Sequence, residues 1–217
     1  FFKNAIISFI PTFILSEFAS QDYKLVFTGD GGDEAFAGYT KYFDSFSCNE
    51  KEYFDKISLI KNDEIFDSLY LNNFADTIDY KEPFKIFTET INKVSNKDFT
   101  NKILYFDTIQ LLPGNNLVKI DKMAMANSLE TRSPFLDYRF FELTQSLKGS
   151  FKLREDETKY ILKKYALKYL PKEVVYRDKQ MFTVPVGEWF KNHLKDYVTD
   201  IINSNSLKSR KIFNTEF

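Results

Sequence analysis

Apolar residues recur at helical spacing along most of this chain and at strand spacing almost nowhere. Ile6, Phe9, Ile10, Phe13, Ile14, Leu15 and Phe18 predict a helix over residues 5–20, with Pro11 marking a start or kink near Thr12. Leu25, Val26 and Phe27, led in by Lys24, form a short unbroken apolar run and predict a buried strand over 24–28. It is the one strand the pattern supports, and a helix feeding a strand is one step of a parallel α/β sheet. Apolar residues at i, i+3 and i+4 predict helices near 64–71, 83–95 and 100–112, the last carried by Ile103, Leu104, Phe106, Ile109 and Leu112. Pro113 and Gly114 end that helix. A further helix is expected over 117–129, with Asp121, Met125 and Ser128 on one face, and Asp137 is placed to cap another over 138–147. Over 157–170, Ile161, Leu162, Tyr165, Ala166 and Tyr169 oppose Lys163, Lys164 and Lys168, and Pro171 stops the helix. Asn72-Asn73 and residues 94–98 read as loops, and the tail after about 190 as helix that frays.

Composition narrows the class. The 217 residues suffice for one large domain, and 43% hydrophobic content marks a folded chain. Its aromatic weight is unusual, with 24 Phe and 13 Tyr. A formal net charge of −1 leaves no basic footprint for nucleic acid. One cysteine, Cys48, excludes an internal disulfide and fits a reducing compartment. One histidine, His193, in a predicted helix, leaves little material for histidine-based metal sites or triads. No apolar run reaches the ~18–20 residues needed to span a bilayer. The start, Phe1-Phe2-Lys3-Asn4, has no basic n-region and no initiator Met, so the chain reads as a piece of a longer protein.

The chemistry concentrates after the strand. Thr28-Gly29-Asp30-Gly31-Gly32-Asp33-Glu34 is a loop of glycines and carboxylates running into a helical turn that Gly38 is expected to end. A strand, a Gly-rich loop and a helix make the usual ligand crevice of an open α/β sheet. Glycines let the backbone approach a phosphate, and successive amide N–H groups cradle it. Carboxylates repel phosphate, so their presence calls for a bridging cation, for which magnesium fits best. The same residues could equally form an ordinary turn and a charged helix N-terminus. The spacing does not match a calcium EF-hand loop.

Three stretches together carry a resemblance. Thr28 to Glu34, followed by Phe36, Gly38 and Tyr39, resembles the second ATP-site motif of the asparagine synthetase family, Ser-Gly-(Glu/Asp)-Gly-x-Asp-Glu-x-Phe-x-Gly-Tyr. Leu112-Pro113, Leu117, Lys119, Asp121-Lys122, Met125, Leu129-Glu130, Arg132 and Pro134-Phe135-Leu136-Asp137 match a long second pattern of that family. Arg177-Asp178-Lys179-Gln180-Met181-Phe182-Thr183-Val184-Pro185 resembles its Arg-x-Lys-x-Gly-Phe-x-x-Pro, with Met181 where glycine is common. If that glycine needs positive φ, Met181 strains the turn and misplaces Lys179.

The resemblance implies a fold and a reaction. The fold would be a parallel α/β sheet of the adenine nucleotide alpha-hydrolase-like (PP-loop ATPase) type, with residues 1–217 the C-terminal part of a synthetase domain. The reaction would be ATP-dependent amide formation, aspartate to asparagine through β-aspartyl-AMP, with Mg²⁺, and with ammonia drawn from glutamine by an N-terminal glutaminase domain. Asp33 would hold the metal. Thr28, Gly29, Asp30, Gly31 and Gly32 would bind ATP. Lys179 would stabilise the departing pyrophosphate, and Asp30 would assist proton removal from ammonia or orient substrate. Asp121, Glu130 and Arg132 would either line the aspartate pocket or form a structural ion-pair cluster. A cytoplasmic enzyme is implied, with neither nucleic acid nor membrane as partner, and a homodimer is among the assemblies it allows. The family's first phosphate loop, Ser-Gly-Gly-x-Asp-Ser, is nowhere in these 217 residues. It is expected upstream, and this polypeptide alone is expected to be inert. Two alternatives share these residues: a ligase or cyclase acting on another carboxylate, and a non-catalytic nucleotide-binding or interaction domain.

Overall fold

The computed structural model describes residues 5–60, 63–179 and 184–214. The architecture is predominantly helical around a small parallel sheet. Helix α1 (Ala5–Ser20) keeps Pro11 inside it, with the Thr12 hydroxyl donating to the Ser8 carbonyl at 2.7 Å. Strand β1 (Leu25–Phe27) leads to α2 (Gly32–Phe36) and a 3₁₀ turn over Thr40–Phe46. Then come α3 (Glu50–Ile57), α4 (Asp63–Leu69), α5 (Asn72–Ala75), α6 (Glu82–Asn92) and α7 (Phe99–Phe106). A π-helical segment, Asp107–Leu117, joins α7 to α8 (Val118–Met125). Strand β2 (Glu130–Arg132) is followed by α9 (Tyr138–Ser146), α10 (Gly149–Lys152), α11 (Tyr160–Ala166) and α12 (Lys172–Val175). Helices α13 (Val186–Lys191), α14 (Lys195–Asn203) and α15 (Asn205–Ser209) complete it.

Five local expectations need correction. The first strand has a partner: β1 pairs in parallel with β2, Val26 opposite Thr131. Nor is β1 buried, for Leu25 is 47% and Phe27 75% exposed. A continuous apolar run reports that a strand expects cover on both faces, not that the described residues supply it. Pro113 and Gly114 do not end the helical path either. The turns widen into π geometry there, and Pro113, which has no N–H to donate, sits inside the segment. Finally, Asn72-Asn73 starts a short helix, and the helix expected over 117–129 stops at Met125, with Ser128 left-handed at φ 56°.

The core lies among α3, α6, α7 and the 3₁₀ turn. Tyr42, Tyr53, Phe54, Phe87, Ile91, Ile103, Leu104 and Phe106 are buried there with Leu153. The aromatic surplus is spent in this place: Phe87 meets Phe106 edge-on at 4.8 Å and stacks with Tyr53 at 6.2 Å. Such edge-on and offset contacts add to the area each ring removes from water. A polar tie closes the bottom of α7. Asp98 caps that helix through the Asn101 N–H (2.9 Å) and accepts the Gly149 N–H (3.0 Å), while buried Lys152 donates to Asn101 Oδ1 (3.0 Å). On the other side, α1 packs on α8, and Asn127 Nδ2 donates to the Phe13 carbonyl at 3.4 Å. Among the described residues no helix is long and apolar enough to cross a membrane.

Phe87 touches both α3 and α7 with no exposed surface. Phe87→Ala should therefore cost about 3–5 kcal/mol in urea unfolding. A loss below about 1 kcal/mol would mean that the core is not centred on this ring.

Candidate active site

The loop after β1 is tied down before it turns. The Thr28 N–H donates to the Arg132 carbonyl at 2.8 Å, and the Ser133 hydroxyl donates to the Asp30 carbonyl. Gly31 sits at φ 81°, in the left-handed region, where a Cβ would strike the side chain of Leu136. Only glycine meets both demands. Helix α2 starts at once, with Asp33 and Glu34 in its first turn, where negative charge is favoured by the helix dipole. The left-handed residue that ends α2 is Ala37, at φ 55°, and not Gly38. Gly38 is required for space: a Cβ there would collide with Asp33 Oδ1 and the Lys159 stem.

Two lysines from distant segments meet at Asp33. Lys159 Nζ lies 2.6 Å from Oδ1, and Lys179 Nζ donates to Oδ2 at 2.7 Å. The Asp33 side chain is 18% exposed. Burial pushes its carboxyl pKa up, but the two ammonium groups outweigh that and hold it below the ordinary value, so Asp33 is ionised at neutral pH. Lys159 is set by its own backbone: it takes a left-handed φ of 55° before α11, and its N–H donates to the Phe36 carbonyl at 3.1 Å. Lys179 follows α12 in an irregular stretch and lies over the Tyr39 ring, 4.4 Å from its centroid. Two ammonium groups thus converge on one carboxylate, and an ammonium is a group that can face a polyphosphate.

Behind the lysines lies a partly buried polar chain. The Tyr39 hydroxyl donates to Glu34 Oε1 at 3.1 Å. Asn116 Nδ2, delivered by the π segment, donates to the same oxygen (3.3 Å) and to the Tyr39 hydroxyl (3.2 Å). Glu34 is 2% exposed, and burial, with Asp33 and Asp107 nearby, raises its pKa to about 6. Asp107 opens the π segment, 1% exposed, accepting the Tyr42 hydroxyl at 2.6 Å and the Lys41 ammonium at 2.5 Å.

The structure gathers some of the expected residues and scatters others. Thr28, Gly29, Asp30, Gly31, Gly32 and Asp33 follow one another through the loop into α2, and Lys179 reaches Asp33. Glu130 and Arg132 lie on β2 and pair at 3.0 Å, their side chains 45% and 66% exposed. Asp121 is exposed on α8, and among the described residues no ion pair joins it to them. The expected three-residue cluster is therefore a β2 pair with Asp121 apart from it: a strand sends Glu130 and Arg132 to one face, and Asp121 belongs to a different element. Met181, with Gln180, Phe182 and Thr183, lies outside the described residues. Lys159, Glu34, Tyr39, Asn116 and Asp107 had no assigned role in the sequence reading. Lys159 lay inside a predicted helix among other lysines, where a solvated face is the ordinary outcome. Glu34 and Tyr39 were inside the motif, but only tertiary contact reveals what they touch.

Glu34 offers a pH test. Its folded pKa of about 6 stands above the unfolded 4.5, so the native state holds the extra proton between those values and stability falls as pH rises through them. Relative to Glu34→Gln, the parent protein should gain about 2 kcal/mol as pH drops from 7 to 4.5, read from urea melts of both proteins. A constant difference across that range would contradict the raised pKa. Gly38→Ala should cost about 1–3 kcal/mol by forcing Asp33 and Lys159 apart; an unchanged melting curve would show that the contact yields freely.

Similarity to other proteins places the chain in a family. The family described as Asparagine synthase matches residues 5–217. Asparagine synthetase [glutamine-hydrolyzing] 1 of Bacillus subtilis is 28% identical over 228 residues, covering 90% of this chain and 36% of the relative. The enzyme of that name from Saccharomyces cerevisiae is 25% identical over 214 residues (93% of this chain, 29% of the relative). That from Lotus japonicus is 28% identical over 212 residues (91% and 28%). The chain thus spans about a third of the length of these relatives. On the match across nearly all its residues, it belongs to the asparagine synthase family.

Proposed function

We propose that this chain is the C-terminal part of the synthetase domain of an ATP-dependent amide ligase that converts aspartate to asparagine, with ammonia from a glutaminase domain in the same protein. The observation that carries the reading is the meeting of Lys179 with Asp33 at 2.7 Å, 146 residues apart in sequence. In this reading the aspartate side-chain carboxylate attacks the α-phosphorus of ATP and pyrophosphate leaves; ammonia then attacks the acyl carbon and AMP leaves. Thr28, Gly29, Gly31 and Gly32 approach the nucleotide through backbone groups. Lys179 faces the phosphates and counters charge on the departing pyrophosphate, an electrostatic contribution realised as the bond breaks. Lys159, beside it, adds a second positive charge. Asp30 orients substrate or takes a proton from the attacking ammonia. Asp121, Glu130 and Arg132 lie toward the carboxylate substrate in this reading, with Glu130 and Arg132 acting as a pair.

Asp33 is the residue that would hold magnesium. Its carboxyl is ionised and reaches solvent. Among the described residues no three His, Cys, Asp or Glu side chains converge as a metal cage, so Asp33 would be the one protein carboxylate on the ion in this proposal. When bound, magnesium supplies charge neutralisation between the carboxylate and the phosphates. The PP-loop ATPase sheet is part of the same proposal: exposed Phe18 of α1 and exposed Leu25 and Phe27 of β1 present apolar surface that upstream strands, carrying Ser-Gly-Gly-x-Asp-Ser, would cover.

Lys179→Gln and Asp33→Asn are to be made in the full-length protein and assayed for aspartate-dependent AMP and pyrophosphate. Each should lower turnover at least about 100-fold, with glutamine hydrolysis and thermal melting retained. Turnover of Lys179→Gln within about 3-fold of the parent would overturn the reading. AMP formation with another carboxylate, and none with aspartate, would overturn the substrate alone. The 217-residue polypeptide by itself should form no AMP, because it lacks the first phosphate loop.

A further inference from the structure

We infer that Tyr39 is the positioning residue that aims Lys179, its ring face seating the ammonium while Glu34 and Asn116 pin its hydroxyl from behind. The inference rests on the reading of Lys179 as the phosphate-facing lysine. Lys179 stands on an irregular stretch with half its side chain exposed. A lysine stem has four rotatable bonds, so the ammonium needs contacts that select one direction. Three are present: Asp33 Oδ2 at 2.7 Å, the Gly38 carbonyl at 3.5 Å and the Tyr39 ring at 4.4 Å.

These contacts differ in what survives substrate binding. A cation taken up by Asp33 competes directly with Lys179 for the carboxylate. The Gly38 contact is at the outer limit of a hydrogen bond. The ring face is different, because it attracts an ammonium through its quadrupole without consuming an N–H donor. The ring contact therefore takes none of the three Lys179 donors away from phosphate oxygens. Burial and the neighbouring carboxylates push the Tyr39 phenol far above its ordinary pKa, so the ring stays neutral at any working pH. Lys41 lies 5.5 Å from the same ring but is committed to Asp107.

The ring itself cannot drift. Its hydroxyl donates to Glu34 Oε1 at 3.1 Å and accepts from Asn116 Nδ2 at 3.2 Å. It packs at a tilt against Tyr42, 5.7 Å between centroids. Tyr42 is in turn fixed to Asp107 at the start of the π segment that delivers Asn116. The three recognisable stretches of sequence therefore converge through one phenol: the first supplies Glu34 in α2 and Tyr39 just before the 3₁₀ turn, the π segment supplies Asn116, and the third stretch supplies Lys179.

The test uses the full-length protein, with turnover followed by AMP release and pyrophosphate binding measured by calorimetry. Tyr39→Leu should lower turnover and weaken pyrophosphate binding about 10-fold each, while the KM for the carboxylate substrate holds. Tyr39→Phe keeps the ring face but frees it from Glu34 and Asn116, so its turnover and pyrophosphate affinity should fall between those of the parent and Tyr39→Leu. Should Tyr39→Leu lose its cooperative melt, phenylalanine fluorinated in steps at position 39 keeps the shape and drains the ring quadrupole; pyrophosphate affinity should then fall stepwise. A flat fluorination series, unchanged pyrophosphate affinity in Tyr39→Leu, or equal damage from Phe and Leu would each overturn the inference. Lys179→Gln separates the two levels. If it loses turnover and pyrophosphate affinity while Tyr39→Leu keeps both, the positioning role fails alone. If Lys179→Gln keeps both, the reading of Lys179 fails and takes the Tyr39 role with it.

Discussion

The carboxylate of Asp33 draws together segments that have no other reason to meet. One oxygen faces Lys159, at the entry to α11, and the other faces Lys179, beyond α12. An ion pair in water is worth little, but this carboxylate is mostly buried, so its charge needs partners more than a surface charge does. The rest of the local structure serves that need. Helix α2 places Asp33 in its first turn, where the helix dipole favours it. Gly38 leaves room for the carboxylate and the Lys159 stem. The strained backbone of Lys159 is held by a hydrogen bond to the end of the same helix.

That arrangement needs a rigid floor, and the aromatic core provides it. Tyr42 belongs to the core and also holds Asp107, so packing and polar order share one residue. Asp107 begins the π segment, whose widened turns carry Asn116 to Glu34 and Tyr39. π turns are poorer in energy than α turns and persist where tertiary contacts or function require them. Here the contacts at both ends are polar and at least partly buried, so a shift in register would take Asp107 from Tyr42 or Asn116 from Glu34. On the opposite side, the exposed apolar residues of β1 and α1 contrast with the closed core around Phe87. The molecule is thus well packed behind the candidate site and open beside its sheet.

Much of the helical architecture was legible because amphipathic periodicity is a local property. The spans of α1, α4, α6 and α9 follow their apolar spacing, and Asp137 caps α9 through the Arg139 N–H as its position suggests. β2 was less legible. Glu130-Thr131-Arg132 reads only as extended chain before a proline, and becomes a strand because β1 lies beside it. The π segment was hidden because Pro113 is ordinarily a stop, and only the anchoring of Asp107 and Asn116 makes continuing the better choice. Of the site, the Gly-Asp loop and Lys179 stood out by residue type and order. Lys159 did not, since one lysine among many on a helical pattern carries no mark of its contacts.

The sequence by itself determined the family, the succession of helices and the chemistry available after the first strand. Residue order and side-chain type are sufficient for those, because they depend on neighbours three or four positions away or on motifs read in line. Only the tertiary structure decided which charges meet. It paired both lysines with Asp33, separated Asp121 from Glu130 and Arg132, and placed Tyr39 between Lys179 and Glu34. The reason is physical: burial raises the cost of an unpartnered charge, so electrostatic partners are selected by the three-dimensional environment, over separations that no local pattern encodes.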